Sequence, residues 1–264
     1  MTRLRLGVAL ALVVLASALL GPLASPHDPL RPDYRQRYAA PSATHWLGTD
    51  ALGRDVLARS LAGGRVSLAI ALGATLLATG LGLVTGLAAA GLRGPTDLVL
   101  SRAYDALLAF PGFLLVLLLV TILGGGVWQT VLALGVAGSP LFFRLTRAFT
   151  RAELRRDYVA AGTALGASRT RLLLRHALPN FAGSLAVQAA STTATFLLVE
   201  ASLSYLGLGV PLPTPSWGNV LQDARSYLTR QPWAALGPGL VLASAALALQ
   251  FLSDGVRDRL DRRG

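Results

Sequence analysis

Three histidines, His27, His45 and His176, are the side chains of this 264-residue chain best suited to proton transfer or metal ligation near neutral pH. No two of them have the spacing of an HExxH zinc helix, and no GxSxG nucleophile elbow occurs. There is no cysteine, which excludes thiolate nucleophiles, disulfides and thiolate metal centres. All 24 basic residues are arginine. Without lysine the chain has neither the amine of a Schiff-base mechanism nor the lysine of a Walker A phosphate loop. The chain is therefore read as a non-enzyme with no catalytic residue, no metal site and no cofactor of its own.

Two polar features inside an apolar stretch invite a different chemistry. At 100° per residue, Ser191, Thr192, Thr195 and Ser202 all fall within about 60° of Gln188, a polar stripe along one helix. Such a stripe must face a cavity or another helix, because an unpaired polar group in hydrocarbon is costly. Lining a solute path and bonding a neighbouring helix both satisfy that condition. Glu200 lies about 120° away, on the side of Thr193 and Ser204. An unpaired ionisable group inside a span costs at least about 2.5 kcal/mol, so Glu200 is expected to have a hydrogen-bond partner. Ion coupling through Glu200 is the alternative.

The elements that position these residues follow from composition. The chain is 53% hydrophobic and only 14% charged, with a mean hydropathy of +0.55, whereas soluble domains carry about 25% charged residues. Charge-free stretches predict an all-α polytopic membrane protein with about six transmembrane helices, near 6–23, 67–91, 104–123, 127–143, 184–206 and 234–252. The first run continues through Leu23, long enough to cross as an uncleaved anchor rather than a signal peptide. Gly82 and Gly86 form a GxxxG pair suited to close helix packing. Pro111 should kink the third span. Asp50 is placed to cap a helix with Leu52, Val56, Leu57 and Leu61 on one face, and Asp55 stands four before Arg59.

The net charge of +11 would suggest nucleic acid in a soluble protein. Here the arginines sit in connecting segments. With a cytoplasmic N-terminus, 16 of the 24 fall in segments 1–5, 92–103, 144–183 and 253–264, the direction of the positive-inside rule. Both termini are thus expected in the cytoplasm. The largest of these segments, 144–183, reads as two short helices, with Gly166 ending the first, Ser168 capping the second and Pro179 ending it. Small residues around the corner permit close approach by another protein, with Arg155, Arg156 and Arg169 as rim contacts. DNA binding by this helical pair is disfavoured, since two spans hold it against the bilayer.

Residues Asp157 to Ser168, followed by Leu174 to Asn180, resemble the cytoplasmic EAA loop of ABC importer permeases, and in particular the second permease of the dipeptide, oligopeptide and nickel group. His45-Trp46-Leu47-Gly48-Thr49-Asp50-Ala51-Leu52-Gly53-Arg54-Asp55-Val56 resembles that group's signature after the first span. Glu200 to Val210, with Pro215-Ser216-Trp217-Gly218, resembles its fifth span and outer loop. The resemblance implies a type I ABC importer transmembrane fold at the inner membrane: an anchor and extracytoplasmic segment at 1–62, a permease core at 63–254 and a cytoplasmic tail at 255–264. It implies a second permease subunit, two ATPase subunits or domains that bind the ATP, and an extracytoplasmic substrate-binding protein, with peptide or nickel chelate as the solute. The coupling loop would comprise Asp157, Tyr158, Ala160, Ala161, Gly162, Gly166, Ala167 and Arg169, and the path Gln188, Ser191, Thr192, Thr195 and Ser202. Ala160 and Gly162 stand where the family usually has Glu and the second Ala.

Overall fold

The computed structural model describes residues 2–92 and 94–261 and is all-helical apart from an isolated bridge between Thr49 and Asp55. The elements are α1 (Thr2–Ala24), α2 (Val56–Leu92), α3 (Gly94–Leu108), α4 (Gly112–Leu123), α5 (Val127–Glu153), α6 (Asp157–Ala164), α7 (Arg169–Leu172), α8 (Leu178–Tyr205), α9 (Trp217–Arg225) and α10 (Trp233–Asp261). Among the described residues, four helical runs are long and apolar enough to cross a membrane: Val56–Leu92, Val127–Glu153, Arg169–Tyr205 and Trp233–Arg259. The pair α3 and α4 adds a fifth as a broken span, and Arg5–Gly21 is a shorter apolar helix.

The hydrophobic centre is the pairing of α2 with α5. Gly82 and Gly86 make it possible: a Cβ at Gly82 would lie 2.6 Å from the Phe143 nitrogen, and one at Gly86 would lie 2.7 Å from Thr146 Cβ. The GxxxG pair is thus a packing device, as in other lipid-embedded helix pairs.

Several elements differ from the sequence expectation. The third span is no single kinked helix, since α3 and α4 meet at 92°. Pro111 cannot donate a backbone hydrogen bond, and the charged residues Asp97, Arg102 and Asp105 keep α3 amphipathic. Asp97 accepts two hydrogen bonds from Arg147 of α5 and one from Arg151, fastening α3 across the end of the bundle. No interfacial helix forms on an Asp50 cap. Asp55 is the cap, its Oδ1 accepting from Ala58 N at 2.6 Å, and α2 then runs 37 residues. Pro179 does not end a helix either. A π turn at Leu173–Ala177 leads into α8, with Pro179 in its first turn, where a missing N–H costs little.

The bundle has two distinct ends. At one, Gly7 of α1 approaches Leu252 of α10, Gly91 of α2 faces Leu173, and Ser253 donates to the carbonyl of Val187. At the other, Arg65 donates to the carbonyl of Ala18, and Gly126 donates to the carbonyl of Gly209. The described parts of segments 1–5, 92–103, 144–183 and 253–264 therefore belong to the first end, and residues 25–55 and 206–232 to the second.

Candidate functional site

At the first end the chain leaves α5 and returns through α6 and α7 to α8. Gly166 adopts φ +82°, the left-handed conformation that an L side chain resists. Ser168 caps α7 by accepting from Arg171 N at 3.4 Å. Both expectations for this corner hold. At Gly162 a Cβ would lie 2.8 Å from Leu172 Cδ2 of α7, the tip of a flexible side chain, so an alanine there would require only that Leu172 shift.

The corner presents itself outward. Asp157, Ala160, Ala161, Gly166 and Arg169 are exposed, Tyr158, Gly162 and Ala167 are half-buried, and no described residue beyond the chain neighbours lies within 4 Å of where a Gly166 Cβ would sit. Leu165 beside it is 89% exposed. Beneath this surface is a clamp that sequence reading missed. Glu153, the last residue of α5, is buried and accepts from the Tyr158 hydroxyl of α6 at 2.8 Å and from Asn180 Nδ2 of α8 at 2.9 Å. Its other oxygen pairs with Arg156 at 3.1 Å. Burial first, and the bond to Glu153 second, push the Tyr158 hydroxyl above its ordinary value, so it remains a donor. One carboxylate thus joins α5, α6 and α8. The only signal in sequence is an acidic residue at the end of a span.

Residues 78–263 match the family model for the binding-protein-dependent transport system inner membrane component. The chain belongs to this family. Across 97% of its length it is 40% identical to a Brucella suis protein provisionally named a peptide permease, of which it covers 86%. It is 38% identical to a di/tripeptide transport system permease protein of Pseudomonas aeruginosa, again covering 97% of this chain and 86% of that protein. It is therefore a multi-pass membrane protein and an ABC importer permease. A secondary transporter built on Glu200, and an intramembrane enzyme, are not favoured.

In this permease α8 presents two polar faces with different surroundings. On the stripe, Thr195 and Ser202 are exposed, Gln188 and Ser191 are half-buried, and Thr192 is buried. The hydroxyls of Thr195 and Ser202 turn back to carbonyls of their own helix, at 3.3 and 2.8 Å, and Gln188 donates to Thr192 at 3.3 Å. Among the described residues Thr195 and Ser202 remain exposed, Ser202 on the wall of a groove between α8, α9 and α10. The Glu200 face is the reverse: Thr193 donates to Thr75 of α2 at 3.1 Å, and Glu200 is 0% exposed. Glu200 Oε1 accepts from Ser204 Oγ, which accepts in turn from Val210 N. Glu200 is part of the packing between helices rather than of the stripe.

The segment carrying Pro215-Ser216-Trp217-Gly218, expected as an outer loop, starts a helix wedged into the bundle. Ser216 and Asn219 form a capping box at the start of α9. Trp217 is fully buried, donating from Nε1 to the carbonyl of Ser60 at 2.9 Å and from its backbone N to Ser67 Oγ at 3.1 Å. The signature at 45–56 fastens this helix. Asp50 Oδ1 accepts from the backbone of Leu52 and Arg54, and its Oδ2 pairs with Arg54 Nε at 2.6 Å. Arg54 and Arg59 then both reach Asp223 of α9, at 3.1 and 2.9 Å. Arg59 therefore bonds Asp223 rather than Asp55.

Proposed function

We propose that this permease forms half of the transmembrane path of an ATP-driven peptide importer and receives its driving motion at the Gly166 corner. The carrying observation is the exposed corner of α6 and α7, tied through Glu153 to α5 and α8 together. The printed names of the relatives support a peptide as solute. ATP is bound by two partner ATPase subunits or domains, a second permease completes the path, and an extracytoplasmic binding protein delivers the solute. Both termini and the corner lie in the cytoplasm, the side that the arginine distribution favours.

The mechanism follows from the contacts. A partner can bias a conformational equilibrium only through interactions that differ between its two states. Closure of the ATPases presses on Leu165 and the alanine face of α6. Because Tyr158 and Asn180 share the Glu153 carboxylate, α6 cannot shift without displacing the ends of α5 and α8. Motion of α8 reorients Thr195 and Ser202, which face the path between the two permeases. The coupling residues are Asp157, Tyr158, Ala160, Ala161, Gly162, Gly166, Ala167 and Arg169.

Uptake of a labelled tripeptide into vesicles containing the assembled complex tests this reading. Transport should require ATP and the binding protein and should persist when ion gradients are collapsed. Uptake driven by an ion gradient without ATP would overturn it.

A further inference from the structure

At the second end of the bundle, residues 25–55 form a long irregular segment. Its only regular element is a three-residue 3-10 turn at Tyr34–Gln36. Loops longer than about 12–15 residues without secondary structure are uncommon in compact domains, and with no cysteine in the chain no disulfide can brace this one. Two of the three histidines meet here. The rings of His27, just after α1, and His45 stack with centroids 4.5 Å apart. Asp55, the cap of α2, places Oδ2 2.8 Å from His45 Nδ1. One ligand atom from each of the three residues lies within 4.8 Å of the other two.

The hydrogen bonds around the rings decide what the cluster can hold. His27 Nε2 lies 2.8 Å from the carbonyl oxygen of Thr44, which can only accept, so Nε2 carries the proton. His45 Nε2 lies 2.6 Å from Gln36 Oε1 and donates to it. With Nε2 of each ring engaged by a polar partner, Nδ1 of each is left for another bond, and that of His45 lies 2.8 Å from a buried carboxylate oxygen. At that separation a proton bridges the pair, and a metal ion would take the proton's place. Imidazoles that donate their second nitrogen to a carbonyl, beside a carboxylate, are the arrangement that orients metal ligands.

We propose that His27, His45 and Asp55 bind a divalent transition metal of the Zn²⁺ class, which staples the exit of α1 and the loop before α2 to the start of α2. Imidazole and carboxylate donors suit this class. Two bonds of about 2.0–2.1 Å at a tetrahedral angle need a nitrogen-to-oxygen separation of about 3.3 Å, so His45 and Asp55 part by about half an ångström. Any proton shared between them leaves to solvent as the metal binds. A cavity of about 420 Å³, lined by Asp28, Arg31, Asp33 and Gln36 as well as the ligands, gives access and room for a fourth, water ligand. Its carboxylates Asp28, Asp33 and Asp55 outnumber Arg31 and Arg35. The inference concerns the folding of this segment and does not rest on the transport reading.

The test is Zn²⁺ titration of the chelator-stripped full chain in detergent, in competition with a chromogenic chelator. One saturable equivalent per chain is expected, with nitrogen and oxygen ligands at about 2.0–2.1 Å by X-ray absorption. His27→Ala should weaken binding at least about tenfold, and since His27 is half-buried with one side-chain bond, this variant should fold even if His45→Ala does not. Asp55 is not replaced, because it caps α2. His176→Ala, at an exposed position, should change nothing. Absence of saturable binding, or equal binding by His27→Ala and wild type, would overturn the site and show instead that a proton alone lies between His45 and Asp55.

Discussion

The Tyr158 hydroxyl donates to Glu153 Oε2 at 2.8 Å, joining the first turn of α6 to the last residue of α5. A hydrogen bond to a charged acceptor is worth about 1.5–3 kcal/mol. Tyr158→Phe should lower the thermal unfolding temperature of the complex and reduce peptide-stimulated ATP hydrolysis severalfold, while the ATPases alone keep their basal rate. The raised tyrosine fixes the sign of the pH effect: the contribution is complete below the ordinary value of 10.0 and is lost as pH climbs through the higher folded-state value. The difference between Tyr158→Phe and wild type should thus be constant from about pH 6 to 8.

The two faces of α8 make separable predictions. Glu200→Gln keeps an acceptor for Ser204 and should transport normally. Glu200→Ala leaves a void and an unpaired buried hydroxyl, and should cost about 1–3 kcal/mol of stability. Thr195→Phe, on the uncovered face, should leave assembly intact and reduce uptake. Assembly is read by size-exclusion chromatography and uptake with labelled tripeptide. Normal uptake by Thr195→Phe together with its loss in Glu200→Gln would exchange the roles of the two faces.

Much of this was readable from sequence because membrane spans are charge-free and turns need particular residues. Gly166 and Ser168 mark the corner since few other residue types satisfy a left-handed turn and a helix cap. The unread parts depend on tertiary contacts. Two aspartates compete to start α2, and Asp50 loses because both of its oxygens are occupied by the Ala51–Arg54 turn and Arg54. Trp217-Gly218 looks like a loop until Gly63 and Gly64 open a space on α2 for it. Glu153 looks like any helix-end acid until Tyr158 and Asn180 arrive from other elements.

Asp223 holds two arginines, of which Arg59 is 1% exposed. Removing one partner of a buried pair costs up to about 3–5 kcal/mol when the other charge is left uncompensated, and here Asp50, 3.5 Å from Arg59 Nε, keeps the loss below that limit. Asp223→Ala should therefore lower the melting temperature and the yield of detergent-stable protein. Arg59→Met combined with Asp223→Ala should recover much of the loss. A double variant as unstable as the sum of its parts would show that the two side chains do not act together.

Topology is accessible to single-cysteine labelling, since the natural chain has no cysteine. Ser168 and Thr214 are exposed at opposite ends of the bundle, whereas Ser216 is buried as the cap of α9. In intact cells an impermeant maleimide should label Thr214→Cys and spare Ser168→Cys. Labelling of Ser168→Cys alone would invert the orientation.

The most direct measurement of coupling is peptide uptake and ATP hydrolysis by the reconstituted complex carrying Gly166→Val. At φ +82° a β-branched residue is strained by roughly 1–2 kcal/mol, while no described residue beyond the chain neighbours lies within 4 Å of where its Cβ would sit. The variant should therefore insert and assemble, and its added side chain should intrude only where a partner docks. The account predicts that uptake and peptide-stimulated hydrolysis fall together at least about tenfold, equivalent to 1.4 kcal/mol of lost coupling. A fully assembled Gly166→Val complex that transports and hydrolyses like wild type would contradict the assignment of this corner as the point where ATP drives the permease.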